Sequence, residues 1–213
     1  AAPTAGERAP APTTGAAVCG LAADRPSAEG VPRREPMLRA ARWLMRQQPN
    51  DVIGPPDAHH FVYGHAIGLL GLCATVAATG DDTCREAAER AYTYLEKHRN
   101  PYAAWRHQPR DNDNDVSVTS WAALSYLAAN DIGVRINGNA LLFARYLAMQ
   151  CSDEQGAVGY TKPGSSTPRF EANGAAVFPP ESPAAMTAPG LLCRLTSGEP
   201  LVDPQLRRDR STF

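Results

Sequence analysis

The 213-residue sequence has no charge excess of either sign: 21 Lys and Arg against 22 Asp and Glu leave a net charge of −1. A nucleic-acid surface and a polybasic membrane patch both need the clustered positive charge that is missing here. No apolar run reads as long enough to span a bilayer, so the expectation is a soluble chain without a transmembrane segment. The five cysteines (Cys19, Cys73, Cys84, Cys151 and Cys193) are an odd number, with no Cys-x-x-Cys pair and no zinc-finger spacing. Cys73 and Cys193 lie in apolar helical runs and read as small buried hydrophobes. A Cys73–Cys84 bridge is open on sequence distance and would be decided by geometry. Aromatic residues make up only 7%, thin for a cavity that must stabilise carbocations by cation–π contact. The first residue is not methionine, and residues 1–32 are rich in Ala, Pro, Thr and Gly without periodicity. They read as a disordered arm or linker. A trimmed exported protein and a cut-out fragment would both begin this way, which leaves the compartment open.

What is present is helical periodicity. At 43% hydrophobic, the chain can bury one sizeable core, and residues 33–213 are expected to form one domain. The stretch Asp111–Asn130 runs from an acidic loop straight into an apolar helix. Asp115 or Ser117 can cap its first turn, where acidic side chains meet the positive end of the helix dipole. Val118, Trp121, Ala122, Ser125 and Ala128 fall near one face. Five more helices are expected at about 36–48, 62–79, 83–99, 139–151 and 184–198. They pair into three hairpins that align with one another. His65, Thr119 and Thr187 correspond, as do Gly68, Ala122 and Gly190, and then Gly71, Ser125 and Cys193. In the partner helices Trp43-Leu44, Tyr94-Leu95 and Tyr146-Leu147 align. The first set is apolar on most sides and the second carries the charge, so an inner and an outer layer of helices are expected. The small residues would let helix backbones approach closely. Loops from outer to inner helices are long (49–61, 100–115, 152–183), and those returning are short. All the long loops should therefore emerge at one end, where repeat proteins commonly bind.

The string FARYLAMQCSDEQGAVGY resembles the repeat of the prenyltransferase and squalene-cyclase superfamily, through Tyr146-Leu147, Gln150, Gly156 and Gly159-Tyr160. DVSVTSWAALSYLAAN and AAMTAPGLLCRL are similar to its bacterial prenyltransferase/squalene-oxidase repeat branch. The likeness covers roughly residues 36–200 and implies an all-α, partial α/α toroid of about three hairpins. The tail Val202–Arg210 resembles the outer helix of a fourth hairpin cut short. An exposed apolar flank on the last inner helix would follow, open to self-association.

The active sites of that superfamily transfer poorly. The cyclase motif Asp-x-Asp-Asp meets Asp111-Asn112-Asp113-Asn114-Asp115 here, with Asn where the second adjacent Asp belongs. Asp111, Asp113 and Asp115 remain the only candidate acids, with helix capping the preferred role. The prenyltransferase zinc pair Asp-x-Cys meets Asp82-Thr83-Cys84, which sits in a short turn with no convincing third ligand. The thioester motif of macroglobulin-type toroids needs cysteine and glutamine three apart, whereas Cys151 and Gln155 are four apart. No metal and no cofactor is expected.

The expectation is a non-catalytic binding or scaffold module for a protein segment or an apolar small molecule. The alternative is a terpene-cyclase or prenyltransferase-type enzyme using the acidic loop and an apolar cavity. Ligand-binding candidates at the long-loop end are His59, His60, Trp105, Arg106, His107, Thr119, Trp121 and Tyr160. An Arg106 pairing with the aspartates would stiffen the loop.

Overall fold

The computed structural model describes residues 11–23, 33–58, 60–110, 112–165 and 184–200. Among them are seven α-helices and no β-strand: α1 (Ala11–Ala23), α2 (Arg34–Arg46), α3 (Phe61–Thr79), α4 (Asp82–His98), α5 (Val116–Asp131), α6 (Gly138–Gln150) and α7 (Ala184–Thr196). The protein is all-α. The chain divides into two compact units, Ala1–His98 with Ser125–Ile136, and Arg99–Leu124 with Asn137–Phe213.

In the first unit, α3 is buried on nearly every side, from Phe61 and Val62 through Leu72, Cys73 and Val76. It is long and apolar enough to cross a membrane by length and composition, contrary to the sequence expectation, but most of it lies inside the protein. Gly80 ends it in the left-handed conformation (φ +69°), its N–H bonded to the Val76 carbonyl at 2.8 Å. Asp81 then opens α4 by accepting the Cys84 N–H at 2.9 Å. Helix α4 carries Asp82 in its first turn and Lys97 and His98 in its last, each favourable to the dipole. Its buried face, Cys84, Ala87, Ala88, Ala91, Tyr92 and Leu95, matches that of α2, Met37, Leu38, Ala41 and Leu44. The end of α5 belongs to this unit, through Tyr126 donating to Glu96 Oε2 at 2.6 Å and stacking edge-on with Tyr92.

Helix α1 corrects the expected arm: residues 11–23 are helical and packed on α3, with Val18 fully buried. A Cβ on Gly15 would lie 2.4 Å from the Ile67 carbonyl oxygen, and one on Gly71 would lie 2.9 Å from Gly15 Cα. The two backbones touch where both side chains are missing. Packing without a patterned face explains why no periodicity announced the helix.

In the second unit, Asp115 caps the start of α5, and Asn137 caps that of α6, its side chain accepting the Asn139 N–H at 3.2 Å. Helix α7 contributes Met186, Thr187, Cys193 and Arg194 to the interior. Past it, Gly198 (φ +83°) turns the chain so that Glu199 meets Arg194. The expected face of α5 is shifted: Thr119, Ala122, Ala123, Ser125, Tyr126 and Ala129 are buried, whereas Trp121 and Ala128 are half-buried.

Candidate functional site

The aligned residues His65, Thr119 and Thr187 do one job in three places. Each is fully buried near the start of its helix and takes a backbone N–H from the loop before it. His65 Nδ1 accepts from Ile53 at 3.0 Å, Thr119 Oγ1 from Trp105 at 3.3 Å, and Thr187 Oγ1 from Val158 at 3.1 Å. The three loop residues so held are themselves fully buried. A Cβ on Gly68 would lie 2.8 Å from Ile53 Cγ2, and one on Gly190 would lie 2.7 Å from Val158 Cγ2. The small residues at these two positions thus make room for a loop side chain, not for a helix backbone as expected. Gly71, against α1, does serve close helix approach.

His65 is unsuited to be a base or ligand. Nδ1 accepts, so Nε2 carries the proton and faces the Ala91 carbonyl at 2.9 Å. Burial pushes its pKa down to about 4, so the ring is neutral at physiological pH.

The loop before α5 is tied by amide side chains. Asn100 donates from Nδ2 to the Asp113 carbonyl at 2.6 Å and to Asn114 Oδ1 at 3.0 Å, and its Oδ1 accepts the Asn112 N–H at 3.0 Å. Asn114 Oδ1 also accepts the Ala104 N–H at 3.0 Å. The left-handed backbone of Asn112 (φ +62°) fits this tight course. The sequence marked Asn114 only as a departure from the cyclase motif and Asn100 not at all, since an Asn-Asp run signals only turn chemistry.

Asp115 closes the loop from within. Its side chain has no exposure. Oδ1 accepts the Val118 N–H at 2.7 Å, which is the N-cap, and Oδ2 accepts the Tyr160 hydroxyl at 2.9 Å. Arg106 Nε stands 3.7 Å from Oδ2, and the same guanidinium pairs with Asp113. It also lies 5.7 Å over the Tyr160 ring. His107 Nε2 is 3.4 Å from the Tyr160 oxygen. Backbone bonds join the same segments: Asp115 N–H to the Trp105 carbonyl at 3.1 Å, and Val116 N–H to the Tyr160 carbonyl at 3.0 Å. Burial raises the Asp115 pKa to about 6, outweighing the hydrogen bonds from Val118 and Tyr160 and the Arg106 charge that lower it. This carboxyl can hold a proton near neutral pH, but both oxygens are engaged and none is open to a ligand.

The structure therefore sorts the candidates. Arg106, His107, Asp113, Asp115 and Tyr160 come together. Trp105 and Thr119 belong to the buried frame beneath them, so they offer no surface as they stand. Trp121 is half-buried on α5. His60 is exposed beside Tyr63, with ring centroids 6.0 Å apart. His59 and Asp111 lie outside the described residues.

The cysteine thiols are free, so Cys73 and Cys84 are unbridged. Burial pushes Cys73 and Cys84 up to about 12 and Cys151 up to about 11, which makes them poor nucleophiles. Among the described residues no three His, Cys, Asp or Glu side chains gather as a metal site would require. No family model, no curated protein and no solved structure matches the chain.

Proposed function

We propose that this protein is a helical-repeat module of the α/α-toroid kind that binds a protein segment or an apolar small molecule without transforming it. The observation that carries this reading is how the polar groups of the buried helices are engaged. His65, Thr119 and Thr187 hold their own loops, and both Asp115 oxygens have donors within the fold. An enzyme that protonates an alkene needs an acid aimed into a cavity. Among the groups left at least partly exposed at the loop before α5 are Arg106, His107 and the half-exposed carboxylate of Asp113, beside Gln108 and Arg110. They suit hydrogen-bonding and charged groups of a peptide.

One observation favours the cyclase alternative: a carboxyl whose pKa burial has raised to about 6 can serve as an acid. Incubation with squalene and with geranylgeranyl diphosphate, followed by mass spectrometry, separates the two readings. Both substrates should be recovered unchanged. A cyclised product that is lost in Asp115→Asn would overturn the proposal. For the binding arm, a peptide selected from a displayed random library should lose roughly tenfold or more in affinity with Arg106→Ala, about the 1.4 kcal/mol expected of a charge-assisted hydrogen bond. Asp82→Ala, in the first turn of α4, should leave that affinity unchanged. The reverse pattern would place binding elsewhere.

A further inference from the structure

Tyr160 stands between two titratable groups, its hydroxyl 2.9 Å from Asp115 Oδ2 and 3.4 Å from His107 Nε2. A phenol has one proton and can donate to one of them at a time. With Asp115 ionised, the O–H points at Oδ2, and a proton on His107 Nε2 can be donated to the phenol oxygen. With Asp115 protonated, the carboxyl O–H can be donated to the phenol oxygen while the phenol O–H turns to a bare Nε2. If the carboxyl proton then moves to the phenol oxygen as the phenol proton moves to Nε2, a carboxylate and an imidazolium result. No proton is gained or lost in that step. The Asp115 side chain is wholly buried, whereas that of His107 is 13% exposed. His107 is therefore the end of the chain nearer solvent, although its Nδ1 is itself buried.

We infer that Asp115, Tyr160 and His107 form a proton-sharing relay in which the buried carboxyl and the imidazole titrate as one coupled pair, and that the join between the 99–115 loop and the 151–165 segment responds to pH through it. The inference does not depend on what the loops bind.

The charged and titratable surroundings give the response its direction. From the 99–115 loop, Arg106 faces Oδ2 and is shared with Asp113. From α5, the Val118 N–H holds Oδ1. From the 151–165 segment come Tyr160 and Cys151, and from α7 comes Cys193; burial keeps both thiols neutral. Above the midpoint, Arg106 links the two aspartates and Tyr160 closes onto the carboxylate. Below it, neutral Asp115 loses its hold on Arg106, and His107 becomes a cation next to that guanidinium in the chain. The two protonations therefore act in opposite directions: a cation at His107 sets like charges beside Arg106 and loosens the join, whereas a neutral Asp115 removes the buried charge that burial penalises.

The test is a pH titration of the whole chain by NMR, following the Asp115 side-chain carboxyl carbon and the His107 ring. In the wild type both should report the same two inflections, as coupled sites do. Tyr160→Phe keeps the ring under Arg106 and removes the hydroxyl. The two groups should then separate into one inflection each, with the Asp115 midpoint moved upward because the carboxylate has lost a donor. Asp115→Asn retains a capping oxygen, and in it His107 should show a single inflection even if Tyr160→Phe does not fold. Independent single midpoints in the wild type, unchanged in either variant, would overturn the relay. So would an Asp115 signal that stays flat between about pH 4 and 8, the window in which a buried carboxyl beside an imidazole titrates.

Discussion

Thr187→Val isolates one loop pin with little change of shape. The hydroxyl accepts the Val158 N–H at 3.1 Å, and neither residue has any exposure. Valine leaves that N–H without an acceptor and without water, a cost of about 1–3 kcal/mol. The added methyl gives back up to about 0.8 kcal/mol of apolar burial. A net loss of about 1–2 kcal/mol follows, and Thr187→Ser, which keeps the acceptor, should lose only the methyl contribution. Denaturant unfolding followed by tryptophan fluorescence measures both. Amide exchange at Val158 should accelerate in the valine variant alone. Thr119→Val should cost less, because its bond to Trp105 is longer, at 3.3 Å. His65→Ala should cost more, about 3–5 kcal/mol, as an aromatic-sized cavity opens and the Ile53 N–H is stranded. If valine at 187 is neutral while serine is as harmful as alanine, packing and not the hydrogen bond holds the loop.

Gly15→Val should detach α1 from α3, since its side chain would run into the Ile67 carbonyl, and limited proteolysis should then release the N-terminal region; resistance equal to wild type would contradict the packing. Glu199→Ala strands Arg194, which is 1% exposed and bonded through Nε at 3.0 Å, and also removes the ion pair with Arg145 at 3.1 Å, whose Nε lacks hydrogen-bond geometry. A loss of about 3–5 kcal/mol in denaturant unfolding is expected for a broken buried pair; a loss below about 1 kcal/mol, the range of exposed pairs, would mean the pair is solvated. The pH dependence of stability should show two opposed contributions. The folded pKa of His65 is lowered to about 4, so its contribution is present above the unfolded value near 6.5 and is lost as pH falls towards 4. That of Asp115 is raised to about 6, so its protonation favours the fold as pH falls from 6 towards 4. Each gap is worth about 3 kcal/mol, so Asp115→Asn should reveal a steeper acid loss than wild type, and equal slopes would refute the pairing.

Helix positions were legible to within two residues because caps and breakers punctuate them: Gly80 and Asp81 between α3 and α4, and Asn137 before α6. Helix α1 was not, because it packs through the absence of side chains at Gly15 and Gly71. Rotation was misjudged for α5, where Tyr126 and Ala129 are buried in place of Trp121 and Ala128, since a helix apolar all round has no pattern to phase it. At the site, the capping role of Asp115 could be read locally. Its burial could not, because the residue that closes over it, Tyr160, lies 45 positions away. The alignment picked out His65, Thr119 and Thr187 as equivalent. Their partners stayed hidden because they stand 12, 14 and 29 residues upstream, with no constant spacing to find them by.

That inconstant spacing bears on where function resides. Each pin fixes a buried loop residue against the start of a buried helix, so the chain between them is held at both ends: Ile53 to His65, Trp105 to Thr119, Val158 to Thr187. What lies between can grow without disturbing helix packing, because the entropy cost of a longer loop rises only slowly with length. The same construction therefore carries insertions of unequal size, and in the second it supports Arg106, His107 and the amide-tied turn that ends at Asp115. With His65, Thr119 and Thr187 engaged in holding loops, the proposed recognition would fall to the loops so held. Exchanging residues 106–112 for a short Gly-containing turn should then leave helix content by circular dichroism unchanged and remove binding of the selected peptide. Loss of helix together with binding would mean that the loop is part of the frame.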